Sequence, residues 1–156
     1  MNTVENELMG LAVIGIMLVS AASIAAAQQD SSAKVQYYSH QDVAAAFAKN
    51  AKLVQASAGH AVYQVLTARR DGPGEVEVHA LDTDIIYIIK GTATFITGGK
   101  VVDARDTAPN EVRGKSSRGG TPHHLSPEDI IIIPPKVPHW FEAVKPPFLY
   151  LVIKVR

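Results

Sequence analysis

Hydrophobic and polar positions change rhythm along the chain. Residues 8–27, LMGLAVIGIMLVSAASIAAA, form an apolar run without a charge that ends in small residues. In SHQDVAAAFAKNAKL, Val43, Phe47 and Ala51 fall on one side at helical spacing, and Ser39 stands three residues before Asp42 as an N-cap. A short alanine-rich helix is expected there. From His60 onward the period drops to two. HAVYQVLTARR, EVEVHA, DIIYIIKG, TATFITGGKVV, DIIIIPP, HWFEAV and FLYLVIKV read as strands, broken by DGPG at 71–74 and by a tight Gly98-Gly99 hairpin. Ile130–Ile133 reads as buried strand. Residues 103–126 are polar and predict a long loop covering something or moving. Short strands at near-regular spacing predict an all-β antiparallel sandwich or barrel.

The apolar run changes the expected boundaries. It closes on Ala25-Ala26-Ala27, the small-x-small pattern of a secretory cleavage site, although its leading segment carries Glu5 and Glu7 and no Lys or Arg. It is also long enough to span a bilayer as an uncleaved anchor. The expected organisation is a signal peptide or anchor at 1–27, an arm with the helix at 28–58, and a β-domain at 59–156. A periplasmic or secreted location follows. The chain has 15 basic and 15 acidic residues. Removing residues 1–27 removes Glu5 and Glu7, leaving 15 basic against 13 acidic, a net of +2. So weak a balance, without a basic cluster, argues against nucleic acid. Cysteine is absent, so the core must hold an exported chain without disulfides.

Chemistry concentrates in GEVEVHALDTDIIYIIKG. Alternate residues of a strand share a face, so Glu75, Glu77 and His79 lie on one side and Val76 and Val78 on the other. In a small barrel one face looks inward, where unpaired polar groups cost several kcal/mol. A divalent cation removes that cost, because carboxylate and imidazole are good ligands. Asp84 begins the next strand and can face the same lumen, and His139 in PPKVPHWF can supply a fourth group. Taken singly, Glu75 and Glu77 suit a solvated face, Asp82 and Asp84 suit a turn, and His139 suits a loop cap. Together they favour a site.

These spacings resemble the cupins, whose first motif is G-x5-H-x-H-x3–4-E-x6-G and whose second is G-x5-P-x-G-x2-H-x3-N. Anchored on Gly91, Asp84 takes the acidic position, His79 the second histidine and Glu77 the first. Pro134, Lys136 and His139 hold the proline, glycine and histidine positions of the second motif, and Ala143 stands where asparagine is usual. The resemblance implies a cupin-type double-stranded antiparallel β-barrel, or jelly roll, with the short helix before it. It implies a metal centre of Glu77, His79, Asp84 and His139, with two histidines and two carboxylates in place of three histidines and a glutamate. Manganese, iron(II), zinc and nickel suit that set, and Asp84, one methylene shorter than glutamate, suits an outer position as well.

Cupins include dioxygenases, isomerases, decarboxylases and lyases. A metal-dependent enzyme acting on a small oxygenated molecule is therefore expected, with Glu77 or Asp84, whichever does not bind, as general base. The alternatives are a non-catalytic module that binds a small ligand or metal, and a barrel that has lost its metal. A homodimer is implied, with no nucleic acid and no membrane contact after signal cleavage. Tyr37 and Tyr38 could pack the arm on a neighbouring subunit. Trp140 and Phe141 suit core better than a substrate platform. Adjacent His123 and His124 point opposite ways on a strand, so at most one could join a site. His40 and His60 read as structural or exposed.

Overall fold

In the expected helix, α1 (His40–Lys49), Ser39 caps the N-terminus and shares a reciprocal capping box with Asp42. The computed structural model in which it is seen describes residues 35–58 and 61–156. The apolar run at 8–27 and His60 lie outside the described residues. Ala46 is the buried residue of α1, flanked by half-buried Val43 and Phe47. The helix ends sooner than its apolar spacing suggests. Asn50 turns into the left-handed conformation and its N–H donates to Ala46 and Phe47, which leaves Ala51 outside.

The chain then enters β1 (Lys52–Ala58), which pairs antiparallel with β2 (Ala61–Arg70). The sheet therefore begins ahead of the expected start at residue 59. Asn50 Oδ1 accepts from the Arg69 amide, and the Thr67 hydroxyl donates to the Ala51 carbonyl, so the helix end is tied to β2.

Nine strands follow: β3 (Val76–His79), β4 (Thr83–Thr97), β5 (Lys100–Val102), β6 (Arg105–Ala108), β7 (Glu111–Gly114), β8 (Ser116–Arg118), β9 (Thr121–Leu125), β10 (Ile130–Ile133) and β11 (His139–Val155). Long β4 and β11 pair along most of their length, and all the ladders are antiparallel. On one side β11 meets β2 and β3, and β3 continues to β7 and β6; on the other, β4 carries β9 and β10. The sheet curls into the jelly-roll barrel expected from the sequence.

Alternation along the two long strands builds the core. Ile86 and Ile88 of β4 and Phe148 and Tyr150 of β11 point inward, joined by Phe95, Leu125, Ile133 and Phe141. Asp84 continues the inward row of Ile86 and Ile88, and Lys154 continues that of Phe148, Tyr150 and Val152. A core built from these rows ends in charged groups at one end of the barrel.

Several expectations change. Residues 103–126 are not a loop but contain β6, β7, β8 and β9. Arg105–Ala108 is exposed throughout and β7 only half-buried, so neither strand needed the apolar alternation that marks strands in sequence. Gly98 and Gly99 do form a tight turn, at φ +74° and +80°. It leads from β4 to β5, which pairs with β8 in a separate two-stranded sheet, so the expected hairpin is replaced by a change of sheet. Only alternate isoleucines of β10 face in: Ile133 is buried, while Ile130 and Ile132 are 63% and 60% exposed.

Gly91 has φ +84°, and a Cβ there would lie 2.8 Å from the carbonyl oxygens of Lys145 and Pro147. It lets β4 pass beneath the irregular stretch of β11 around residues 145–149. Gly91→Ala should lower stability by about 1–3 kcal/mol, seen as a reduced denaturant midpoint. Gly72→Ala, which meets nothing within 4 Å, should not.

Candidate metal centre

Strand β3 places Glu77 and His79 on one face, and β11 opens with His139 directly opposite Glu77 in the ladder. The turn before β11 is held against β3, because the Lys136 amide donates to the His79 carbonyl at 2.7 Å. Lys136 sits at φ +68°, the left-handed conformation that favours glycine, at the position where glycine was expected. Across the lumen Asp84 lies at the start of β4, opposite Lys154 of β11.

All four expected residues converge. His79, Asp84 and His139 are buried and Glu77 nearly so. Glu77, His79 and His139 each present one ligand atom, and these atoms all lie within 4.8 Å of one another. The two imidazole centroids are 5.2 Å apart. Asp84 Oδ2 is 3.4 Å from His79 Nε2 and 3.7 Å from His139 Nε2. Both its oxygens are engaged, however, by the Lys154 ammonium at 2.7 and 2.8 Å.

Glu77 and His139 are each oriented by something outside the cluster. Glu77 divides its oxygens: Oε2 faces His79 Nε2 at 3.6 Å, while Oε1 accepts from Arg113 at 2.9 Å and lies 3.6 Å from Arg70. Arg113 is braced in turn by Glu111 at 2.6 Å. His139 Nδ1 lies 3.0 Å from the Val137 carbonyl, which fixes the proton on Nδ1 and leaves Nε2 bare. Phe95 backs the His139 ring at 6.0 Å between centroids.

Electrostatics agree with that tautomer. Burial lowers His139 and keeps it neutral, which outweighs the Val137 contact and the nearby carboxylates. Burial opposes charge on Glu77, yet contact with His79 and the guanidinium groups of Arg113 and Arg70 pull it down to about 2. Asp84 is likewise lowered: burial opposes its charge, but His79 and Lys154 outweigh burial.

Two opposite pulls meet at His79. Burial and the Lys154 charge disfavour its imidazolium, while Asp84 and Glu77 favour it and lift it to about 9. An N–H at Nε2 cannot face an ammonium 2.8 Å away. Lys154 and the two carboxylates therefore compete for Nε2, which lies within 3.6 Å of all three.

The donor set fits a divalent cation, with one ionised carboxylate and two imidazoles within reach of a common point, Glu77 and His139 each held from behind. It would be a three-ligand centre with open positions, the type found in non-haem iron(II) sites and catalytic zinc sites. Beside it opens a cavity of about 370 Å³ whose walls include Leu66, Arg70, Trp140, Phe141, Tyr150 and Val152. Arg70 stacks over Phe141 and donates to the Tyr150 hydroxyl at 2.8 Å.

The remaining candidates lie elsewhere. Glu75 is at the rim, paired with Arg105. Asp82 pairs with Arg156. His123 contacts the Thr97 hydroxyl at 2.8 Å and His124 is exposed; neither belongs to the ligand group. Phe141 is core, while half-buried Trp140 donates its indole N–H to the Gly74 carbonyl. His40 is exposed. Sequence reasoning missed Arg70, Glu111, Arg113 and Lys154. Lys154 left a signal, a lysine in phase with the inward row Phe148, Tyr150 and Val152, and so did Arg70, in phase with Leu66 and Ala68.

No family model matches the sequence, and no curated protein matches it. Solved structures resemble the chain in part. One is hydroquinone 1,2-dioxygenase from Sphingomonas sp. TTNP3 with 4-hydroxybenzoate bound, 16% identical, TM-score 0.45, covering 60% of this chain and 59% of its own. Another is an uncharacterized conserved protein with a double-stranded β-helix domain from Klebsiella pneumoniae, 17% identical, TM-score 0.46, covering 79% and 86%. A third is hydroxypropylphosphonic acid epoxidase from S. wedmorenis, 17% identical, TM-score 0.38, covering 62% and 42%. The match spans less than two thirds of the dioxygenase and of the epoxidase.

Proposed function

We propose that this protein is a metal-binding cupin that holds a divalent cation through Glu77, His79 and His139 and acts on a small oxygenated molecule in the adjoining cavity. The observation that carries this reading is the convergence of those three ligand atoms within 4.8 Å. A cation bound there would act as a Lewis acid towards a carbonyl or carboxylate oxygen of the ligand.

The chain's own residues do the rest. His79, Arg113 and Arg70 keep Glu77 ionised, and Arg113 holds Oε1 so that the other oxygen stays on the centre. The Val137 carbonyl keeps the proton of His139 on Nδ1, away from the ligand side. Leu66, Phe141 and Val152 give the cavity an apolar wall that excludes water, while Arg70 and the Tyr150 hydroxyl offer polar groups to an oxygenated ligand. Asp84, ionised and close to both imidazoles, is the carboxylate placed to accept a proton from a bound molecule once Lys154 releases it.

Metal uptake tests the proposal. Metal-free protein is expected to take up about one equivalent of manganese, iron(II) or zinc and to melt several degrees higher, because a ligand bound only to the folded state stabilises it. The His79→Ala/His139→Ala double variant should take up none. Full metal content in that variant would overturn the proposal. Stoichiometric ligand binding without turnover, across a broad panel of oxygenated molecules, would favour a non-catalytic binding module instead.

A further inference from the structure

We infer that Lys154 is an internal cation of this centre and competes with a divalent metal for His79 and Asp84. The inference rests on the metal-binding reading above and sharpens it.

The argument begins with one lone pair. His79 Nε2 is the ring nitrogen turned to the centre, and Lys154 Nζ lies 2.8 Å from it. A neutral imidazole has a single acceptor nitrogen, so Nε2 cannot accept from an ammonium and bind a metal at once. The same Nζ spans both oxygens of Asp84 at 2.7 and 2.8 Å. Metal entry must therefore break the contact with His79, and a fourth protein ligand is gained only by freeing Asp84 as well. With Lys154 in place only Glu77 and His139 keep a free donor atom; breaking its contact with His79 gives three protein ligands, and freeing Asp84 as well gives four.

Charge points the same way. Glu77 is already matched by Arg113 and Arg70, and Asp84 is matched by Lys154. Every carboxylate at the centre thus has a cation, and an incoming divalent ion meets no uncompensated negative charge. Removing the ammonium leaves Asp84, 3% exposed, with only the two imidazoles beside it. That is a destabilised state which a metal would relieve. Lys154 therefore holds the metal-free barrel together and weakens its hold on metal by the same contacts.

Affinity for zinc(II) and manganese(II), measured by competition with a chromophoric chelator, tests this alongside melting temperatures with and without metal. Lys154→Met is expected to bind both ions at least tenfold more tightly than wild type. It should melt lower when metal-free and recover with metal. Equal or weaker affinity in the variant, with wild type still binding, overturns the competition and leaves the metal-binding reading standing. No uptake by either protein overturns both. If Lys154→Met does not fold without metal, Asp84→Asn/Lys154→Met removes the buried pair together. That double variant should still bind through Glu77, His79 and His139 more tightly than wild type, and failure to do so also overturns the competition.

Discussion

Phe95→Ala is expected to lower the stability of the fold by about 3–5 kcal/mol, the range for deleting a fully buried aromatic side chain. Phe95 is 0% exposed and lies at the meeting point of β4 with β9 and β11. Its ring is 4.5 Å from that of Phe141, which continues the stack to Phe148 and Tyr150. Alanine leaves a cavity that curved, hydrogen-bonded strands cannot close, so transfer energy and packing are both lost. For a domain with about 5–15 kcal/mol in total, the loss is a large fraction, worth roughly 10–20 °C in melting temperature. Phe95 also backs His139. The variant should therefore bind metal more weakly, even where it is still folded. Ile132→Ala supplies the contrast: although Ile132 sits within IIII, its side chain is mostly exposed, and the change should stay within about 0.5 kcal/mol. A large loss at Ile132 with little at Phe95 would mean that the faces of β4 and β10 have been assigned the wrong way round.

That contrast also shows what could be read from the sequence. A two-residue period identifies a strand, but a run such as IIII hides which side faces in; the register against β4 decides that. Polar strands leave no periodic mark. Glu111 and Arg113 of β7 sit beside the centre because β7 pairs with β3, in a ladder joining residues more than thirty positions apart. The site was more legible than its surroundings. Glu77, His79 and His139 are tied to backbone features with strict spacing requirements: the Gly91 crossing, the left-handed turn at Lys136, and the start of β11. Those features fix the positions of the three side chains even where residue types vary, as Lys136 at φ +68° shows. What holds each ligand from behind was not legible. Arg113 and Lys154 reach the centre through tertiary packing, the Val137 carbonyl through the turn two residues before His139, and Arg70 and Lys154 declare themselves by an inward phase.

The second large effect is a loss of stability in acid, centred on Glu77. Its folded-state pKa is pulled from the ordinary 4.5 to about 2. The sign follows from proton binding: between those values the unfolded chain takes up a proton that the folded chain refuses. The contribution is therefore fully present above about pH 4.5 and is lost as pH falls towards 2. At about 1.4 kcal/mol per unit, Glu77 accounts for roughly 3 kcal/mol of that loss. Asp84, lowered by contact with His79 and Lys154, adds to it with the same sign. Denaturant unfolding of metal-free protein between pH 6 and pH 2.5 should show this steep limb. Glu77→Gln keeps the shape and can still accept from Arg113 but has no proton to bind, so it should be less stable at pH 6 and lose less on acidification. The two stability curves should converge near pH 2. Parallel curves, with the same acid loss in both proteins, would mean that Glu77 is not held ionised by His79, Arg113 and Arg70, and the basis for its proposed role as a ready anionic ligand would fall with it.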